Sequence, residues 1–113
     1  ESPENAMKRE LMEETGLNKR YKIISKTSSW LEYKLPQELV NEVWNGKYVG
    51  QKQIWFACRF FGNDDQVDLK KFNNPEFCEW RWINPIDCLD LVVPFKRTLY
   101  KKVLKNFRSL YQE

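Results

Sequence analysis

Apolar and polar residues follow two different periods along this chain, and each period predicts a kind of element. In the last fifth of the sequence, apolar residues recur at every third or fourth position, which is the spacing of one helix face. They predict a helix over 95–111 and are Phe95, Leu99, Val103, Phe107 and Leu110. Lysines and arginines occupy the positions between them, so we expect one apolar and one basic face.

Three earlier segments predict extended structure. Residues 21–35 are rich in aromatic and β-branched residues and lack helical periodicity. The run over 54–61 is strongly apolar, which is typical of a central strand. Over 79–83, Trp80 and Trp82 fall on one face and a polar residue on the other, so we expect a strand with both rings in the core.

Proline, asparagine and glycine mark the connections between these segments. Residues 36–43 predict a short helix or a loop, followed by the turn signal Asn45-Gly46. Further along, we expect a turn over 62–65 and a brief helix over 85–91. Helices that flank strands in this way predict an α/β layered domain.

The first helix is marked at both ends and carries acidic residues. Ser2 is a favourable N-cap, and Gly16 fits the left-handed residue that follows a last helical turn. At about 100° per residue, Glu10, Glu13 and Glu14 fall within roughly 60° of one another. Carboxylate oxygens that converge in this way suit a hard divalent cation such as Mg²⁺. A solvated acidic face would show the same spacing.

Composition narrows the classes of function. The 113 residues are 42% apolar, enough for one domain over 1–113 with a real core, and the net charge of +3 does not by itself indicate nucleic-acid binding. Three widely spaced cysteines without a C-x-x-C pair predict a reducing compartment, the cytoplasm. The lack of histidine excludes Ser-His and Cys-His catalysis. No apolar run approaches the roughly 20 residues of a membrane span.

A second polar group lies on a predicted strand. Gln51 and Gln53 share one face of this strand, and Lys52 lies on the other. Polar groups beside the apolar Trp55 and Phe56 need hydrogen-bond partners, which phosphate oxygens could supply. The alternative is an ordinary strand that enters the sheet from solvent.

The N-terminal segment resembles the signature of the Nudix hydrolases. The matching residues are Glu1 and, after seven others, Arg9-Glu10-Leu11-x-Glu13-Glu14-x-Gly16-Leu17. This resemblance implies an α/β/α sandwich with a mixed sheet. It also implies bound Mg²⁺ or Mn²⁺, which activates water against a nucleoside diphosphate linked to another moiety. Glu10, Glu13 and Glu14 would then be metal ligands, and Arg9 would orient them.

The chain starts at the first glutamate of that signature, so we expect a fragment that lacks the opening glycine and the strands before it. Strands that lose their neighbours expose edges and apolar surface. We therefore expect this segment to self-associate when it is produced alone.

Five further motifs, in order, extend the resemblance over nearly the whole chain. They are Trp30-Leu31-x-Tyr33-Lys34-Leu35-Pro36, Gly50-Gln51-Lys52-Gln53-x-Trp55-Phe56, Pro75-Glu76-Phe77, Trp80-Arg81-Trp82 and Val92-Val93-x-Phe95-Lys96-Arg97. Together they resemble the bacterial RNA pyrophosphohydrolases and the related dinucleoside polyphosphate hydrolases. This branch implies that Glu76 is an extra carboxylate for the metals, and that Lys52 and Gln53 face the phosphates. The residues near the 5′-terminal nucleotides would be Tyr33, Val93, Phe95 and Lys96.

The resemblance thus predicts Mg²⁺-dependent hydrolysis of a 5′-triphosphate RNA end to a 5′-monophosphate, with release of pyrophosphate. Glu14 or Glu76 would act as general base, and Lys52 would stabilise the charge on the phosphates. Two other hypotheses fit the same residues. One is hydrolysis of diadenosine tetraphosphate or a similar dinucleotide, and the other is a module that binds RNA ends without chemistry.

Overall fold

The computed structural model describes residues 1–40, 50–72 and 74–112. Helices and antiparallel strand pairs occur together, which confirms the α/β class. The elements in chain order are α1 (Pro3–Thr15), β1 (Tyr21–Lys26), β2 (Leu31–Lys34), α2 (Gln37–Val40), β3 (Gly50–Gln53), β4 (Phe56–Phe60), α3 (Cys88–Leu91), α4 (Arg97–Asn106) and α5 (Arg108–Tyr111). Three 3₁₀ turns lie at Asp64–Gln66, Pro85–Asp87 and Pro94–Lys96.

The chain forms two compact units, each with its own strand pair. The first unit combines Glu1–Lys26 with Phe56–Trp82, and the second combines Thr27–Trp55 with Ile83–Glu113. Both strand pairs are antiparallel, and no parallel pairing occurs among the described residues. The mixed sheet that the resemblance implies is therefore not seen in this part of the chain.

In the first unit, α1 begins and ends where the sequence predicts. The Ser2 hydroxyl accepts a hydrogen bond from the Asn5 N–H at 3.1 Å, which satisfies one of the free donors of the first turn. Gly16 closes the helix at φ 76°, and its N–H donates to the Met12 carbonyl. A residue with a Cβ would be strained in this left-handed conformation.

The apolar run over 54–61 forms a shorter strand than predicted, and it is not central among the described strands. β4 begins at Phe56 and pairs only with β1, with a bulge between Ile23 and Ser25. Cys58 and Arg59 are exposed. The strand starts late because the backbone N–H of Trp55, in the preceding linker, donates to the Thr27 side chain instead of a strand partner.

The predicted strand over 79–83 is wrong, and so is the core position of its tryptophans. Residues 79–83 are irregular in the structure. Trp80 and Trp82 expose 37% and 62% of their surface. Trp82 stacks on Phe60 with ring centroids 5.9 Å apart, and its indole N–H donates to Asp64 at 2.9 Å. Alternating residues form a strand only where a partner strand satisfies the backbone, and no described strand lies beside these residues.

In the second unit, α4 packs its apolar stripe against β2. The buried core of the described residues consists of Leu31, Tyr33, Leu99, Val103 and Phe107. The stripe thus predicts three of the five core positions. Phe95 is half-buried, and Leu110 is 44% exposed.

The predicted helix over 95–111 is divided rather than continuous. It opens with the 3₁₀ turn at Pro94–Lys96, continues as α4 and α5, and is interrupted at Phe107. There the Leu110 N–H donates to the Phe107 carbonyl only three residues back, which tightens the last turn.

The shorter connections follow the sequence predictions where they are described. α2 forms within the predicted segment over 36–43, and the helix expected over 85–91 appears as the 3₁₀ turn at Pro85–Asp87 and α3. The turn signal Asn45-Gly46 lies outside the described residues. None of the described helices is long and apolar enough to cross a membrane.

Candidate active site

Arg9 joins two carboxylates in the first unit. Its Nε and Nη2 donate to the two oxygens of Glu1, each at 3.0 Å, and its Nη1 lies 3.3 Å from both oxygens of Glu13. A third carboxylate, Glu10, lies at the edge of contact, 4.0 Å from Nη2. Residues four apart on a helix lie on the same side, which brings Arg9 to Glu13. Because the guanidinium hydrogen-bonds to Glu1, it lowers the pKa of the Glu1 carboxyl.

Glu14 is the acidic residue with the most unusual surroundings. Partial burial raises the pKa of its carboxyl, and the negative charges of Glu76, Glu10 and Glu13 raise it further. The structure therefore brings Glu76 into the neighbourhood of the three helix carboxylates. The end of α1 thus gathers several carboxylates around Glu14, with the Arg9 guanidinium beside Glu13.

The segment that leads to Glu76 is attached to the end of α1. The Asp68 N–H donates to the Thr15 carbonyl at 2.8 Å, and the Lys71 ammonium donates to the Gly16 carbonyl at 3.3 Å. These two segments are so close that a Cβ at Gly16 would lie 2.9 Å from the Asp68 carbonyl oxygen. Glycine at this position thus permits the approach that places Glu76 near Glu14.

The carboxylates do not form a closed ligand set among the described residues, where no three acidic or cysteine side chains converge on one point. Glu13 is held by Arg9, and Glu10 is exposed. The donor set nevertheless fits a divalent cation, because all its atoms are carboxylate oxygens. A cation would also offset the repulsion that raises the pKa of Glu14.

A second group of predicted site residues meets on β2, β3 and the turn before α4, in the second unit. The Tyr33 hydroxyl donates to Gln51 Oε1 at 3.2 Å, since the two residues are paired across the strands. The Phe95 ring lies 5.9 Å from the Tyr33 ring, and the Lys96 ammonium lies 5.1 Å from the Tyr33 centroid. We call Tyr33, Gln51, Gln53, Phe95 and Lys96 the aromatic–amide cluster.

Burial raises the pKa of the Tyr33 phenol, so this hydroxyl keeps its proton and remains a hydrogen-bond donor at neutral pH. The ammonium of Lys96 above the ring is a cation–π contact. Tyr33 itself is buried, so the aromatic surface of the cluster is the half-buried Phe95 ring, which lies near the Lys96 charge in a combination suited to a nucleotide.

Two predicted site residues lie outside this cluster. Lys52 occupies the opposite face of β3. It lies across from Glu32 of β2 in the strand register, and both side chains are exposed. The face predicted from strand alternation is thus confirmed, but it separates Lys52 from Gln51 and Gln53. Val93 has an exposed side chain, and its carbonyl accepts from the Lys96 N–H at 2.9 Å.

Two further residues contact the site, although the sequence did not single them out as functional. Glu1 was noted only as a signature position, yet it forms the closest contacts with Arg9. Trp55 was assigned only as an apolar neighbour, yet its indole N–H donates to Gln53 Oε1 at 2.9 Å. A tryptophan two residues beyond a glutamine at the end of a strand is the signal that predicts such a contact.

Comparison with known families identifies the class of this protein. The NUDIX domain family model matches residues 1–103, which include α1, both strand pairs and the Glu76 segment. The chain therefore belongs to the Nudix family. This membership confirms the predicted hydrolase class, and enzymes of this class use divalent metal ions.

The most similar relatives belong to one branch of that family. The chain is 45% identical to the RNA pyrophosphohydrolases of Rickettsia canadensis and Rickettsia prowazekii, over 112 residues in each case. The aligned region is 99% of this chain and 68% of each relative. The RNA pyrophosphohydrolase of Rickettsia rickettsii is 44% identical over the same length.

Proposed function

We propose that this protein hydrolyses the 5′-triphosphate end of RNA to a 5′-monophosphate and releases pyrophosphate. The observation that carries the proposal is the 45% identity to RNA pyrophosphohydrolases over 112 residues, a span that includes every carboxylate of the candidate site. The reaction breaks the phosphoanhydride bond between the α and β phosphates and joins a water oxygen to one of these two phosphorus atoms. The proton lost by that water needs an acceptor.

The proposed cofactor is Mg²⁺, and Mn²⁺ would fit the same oxygen donors. Glu10, Glu13, Glu14 and Glu76 would hold it. When bound, the cation neutralises phosphate oxygens and activates the attacking water. Burial is the main cause of the raised pKa of Glu14, and the charges of Glu76, Glu10 and Glu13 contribute to it; these neighbouring charges support the assignment, because they would attract a cation.

The chain's own groups would divide the remaining tasks. Glu14 or Glu76 would accept the proton of the attacking water. Arg9 would fix the direction of the Glu13 carboxylate through its contacts of 3.3 Å. Lys52 would offset charge on the phosphates, because its side chain is exposed and can reach a substrate.

The aromatic–amide cluster would hold the nucleotide end. The half-buried Phe95 ring would offer aromatic surface to a base, and a stacked base contributes about 1–3 kcal/mol. Tyr33 is only 8% exposed, so it would support Phe95 and orient Gln51 beside the nucleotide rather than stack on the base itself. Lys96 and Gln51 would donate to phosphate oxygens, and Val93 would line the same approach.

Analysis of phosphate products tests the proposal. Triphosphate-ended RNA and Mg²⁺ are incubated with the wild type, with Glu14→Gln and with the control Glu4→Gln. Glu4 lies on the same helix but pairs with Lys8 at 3.2 Å, away from the acidic cluster. We expect pyrophosphate from the wild type and from Glu4→Gln, and none from Glu14→Gln. Pyrophosphate release by Glu14→Gln would refute the assigned site.

Two other activities are outcomes of the same assay. Competition between triphosphate-ended RNA and diadenosine tetraphosphate separates the first: cleavage of the dinucleotide alone would keep the carboxylate site and change the substrate. Metal-independent binding of RNA ends without any product would indicate a binding module.

For the location, we propose the cytoplasm, since Cys58, Cys78 and Cys88 are all free thiols.

A further inference from the structure

Three hydrogen bonds in the aromatic–amide cluster form a directed chain. The Trp55 indole N–H donates to Gln53 Oε1 at 2.9 Å. The amide NH₂ of Gln53 then donates to Gln51 Oε1 at 3.2 Å, and the Tyr33 hydroxyl donates to the same oxygen at 3.2 Å. This chain of hydrogen bonds therefore begins at the Trp55 indole and ends at the Oε1 oxygen of Gln51.

The direction of this chain is set at Trp55. An indole N–H can only donate, whereas a glutamine amide can turn its oxygen or its nitrogen toward a neighbour. Facing Trp55, Gln53 must present its oxygen, which leaves its NH₂ group for Gln51. Gln51 must in turn present its oxygen to Gln53. A phenylalanine at position 55 would remove this constraint from both glutamines.

The fixed orientation decides what Gln51 can offer to a ligand. Its oxygen already accepts two hydrogen bonds, so its NH₂ group is the part that remains for a ligand. Gln51 is an exposed residue, and the Lys96 ammonium lies beside its partner Tyr33. The donors that remain beside Tyr33 are therefore the Gln51 NH₂ group and the Lys96 ammonium. Such a set favours an oxygen acceptor such as phosphate.

Trp55 itself is held from two other sides. Its backbone N–H donates to the Thr27 hydroxyl at 3.1 Å, and its carbonyl accepts from the Thr27 N–H at 2.9 Å. Thr27 is only 2% exposed. The Trp55 ring meets the Tyr100 ring edge to face, with centroids 5.3 Å apart. The Trp55 indole is therefore restrained, so its N–H can fix the orientation of the Gln53 amide.

We propose that Trp55 is a positioning residue, which fixes the amides of Gln53 and Gln51 so that Gln51 donates to a phosphate oxygen of the RNA 5′ end. The inference rests on the proposed function for its substrate. It assigns no chemical step to Trp55, and it predicts an effect on substrate binding rather than on turnover.

Kinetics with triphosphate-ended RNA test the inference through three substitutions. Trp55→Phe keeps an aromatic ring against Tyr100 and removes the N–H, and we expect KM to rise about fivefold with kcat changed less than about twofold. Gln51→Glu keeps the oxygen that Tyr33 and Gln53 use but replaces the NH₂ group by an anion, so KM should rise at least about tenfold. The control Trp30→Phe, at an exposed tryptophan of the same unit, should leave both constants unchanged.

A double-substitution cycle separates positioning from packing. Gln53→Glu still accepts from Trp55 but cannot donate to Gln51, so it breaks the chain at its second bond. Adding Trp55→Phe to Gln53→Glu should then raise KM no further. A further rise equal to that in the wild-type background would overturn the proposal, as would an unchanged KM or a loss confined to kcat in Trp55→Phe. If Trp55→Phe fails to fold, Gln53→Glu and Gln51→Glu carry the test.

Hydrogen exchange of the indole N–H gives a readout that needs no activity. The Trp55 indole proton should exchange at least about tenfold more slowly than that of the exposed Trp30, and equal rates would refute the chain. If the wild type releases no pyrophosphate, the proposed function fails but this measurement still stands. Titration with triphosphate-ended RNA, followed by NMR, then tests whether Gln51 donates to the RNA end. The NMR signals of the Gln51 side-chain amide must shift in the wild type, and unshifted signals would overturn the inference.

Discussion

Arg9 contacts two carboxylates at once through its planar guanidinium. Its fork of N–H groups meets Glu1 with two bonds of 3.0 Å while Nη1 reaches Glu13. A lysine carries the same charge as a single point and lacks the fork that makes two parallel bonds to Glu1. The direction of the Glu13 carboxylate therefore depends on the shape of residue 9 as well as on its charge.

Replacing this fork should reduce turnover. We expect Arg9→Lys to lower kcat for triphosphate-ended RNA by about tenfold or more, because Glu13 loses its orientation. Lys8→Met is the matched control, since Lys8 pairs with Glu4 on the same helix. Equal kcat values for wild type and Arg9→Lys, measured at saturating Mg²⁺, would contradict an orienting role.

Glu14 makes stability depend on pH. Burial and the charges of Glu76, Glu10 and Glu13 raise the pKa of its carboxyl in the folded protein above the ordinary value of 4.5. Below the pKa of the unfolded state, Glu14 is protonated in both states and does not lower the free energy of unfolding. As the pH rises through the folded pKa, the carboxyl ionises in unfavourable surroundings and the free energy of unfolding falls. At neutral pH, the ionised carboxylate destabilises the fold.

Glu14→Gln should therefore melt at a higher temperature than the wild type at about pH 7 in a chelator, and at the same temperature near pH 4, below the unfolded pKa. Added Mg²⁺ should stabilise the wild type more than the variant, because ligands stabilise the state that binds them. Thermal unfolding followed by circular dichroism measures both effects. A wild type that melts higher than Glu14→Gln in chelator at neutral pH would contradict the raised pKa.

At the scale of single residues, the sequence predicted what local geometry determines. The spacing of Glu10, Glu13 and Glu14 places them on one side of α1, and the structure agrees. The approach of Glu76 to Glu14 depends on contacts between segments far apart in the chain, so only the family resemblance indicated it. The role of Trp55 was missed because a tryptophan beside apolar residues is usually interpreted as core packing.

Among the elements, α4 carries the most buried apolar side chain of the described residues, Leu99. Leu99 is 2% exposed, whereas Leu110, on the same predicted stripe, is 44% exposed. Leu99→Ala should lower the free energy of unfolding by about 2–5 kcal/mol, from lost burial and the remaining cavity. Leu110→Ala should change it by less than about 1 kcal/mol. Urea denaturation compares the two, and equal losses would contradict the packing of α4 against β2.

The success of each element prediction depends on how local its signal is. α1 was predicted at both ends because Ser2 and Gly16 act within one helical turn of their own positions. The predicted strand over 79–83 failed because alternation describes which faces side chains take, not whether a partner strand is present. The interruption at Phe107 was also missed, since the apolar stripe continues through it.

For the molecule as a whole, the first unit exposes an unusual amount of aromatic surface. Phe61, Phe77 and Trp82 each expose about half or more of their surface. Apolar surface of this kind promotes association. We expect the sedimentation coefficient of this chain to rise with concentration, and Phe61→Lys to reduce that rise. Leu110→Lys, at an exposed aliphatic residue of the other unit, is the control. A sedimentation coefficient independent of concentration would contradict this expectation.

The attachment of the Glu76 segment to the last turn of α1 also has a consequence for heating. Two hydrogen bonds, from Asp68 to the Thr15 carbonyl and from Lys71 to the Gly16 carbonyl, hold it there. Helix ends open locally at a smaller free energy than strands in a ladder. Warming would therefore release Glu76 while β1 and β4 remain paired. Hydrolysis should fail at a lower temperature than the circular dichroism signal, so a melting curve alone would overstate the working range of the enzyme.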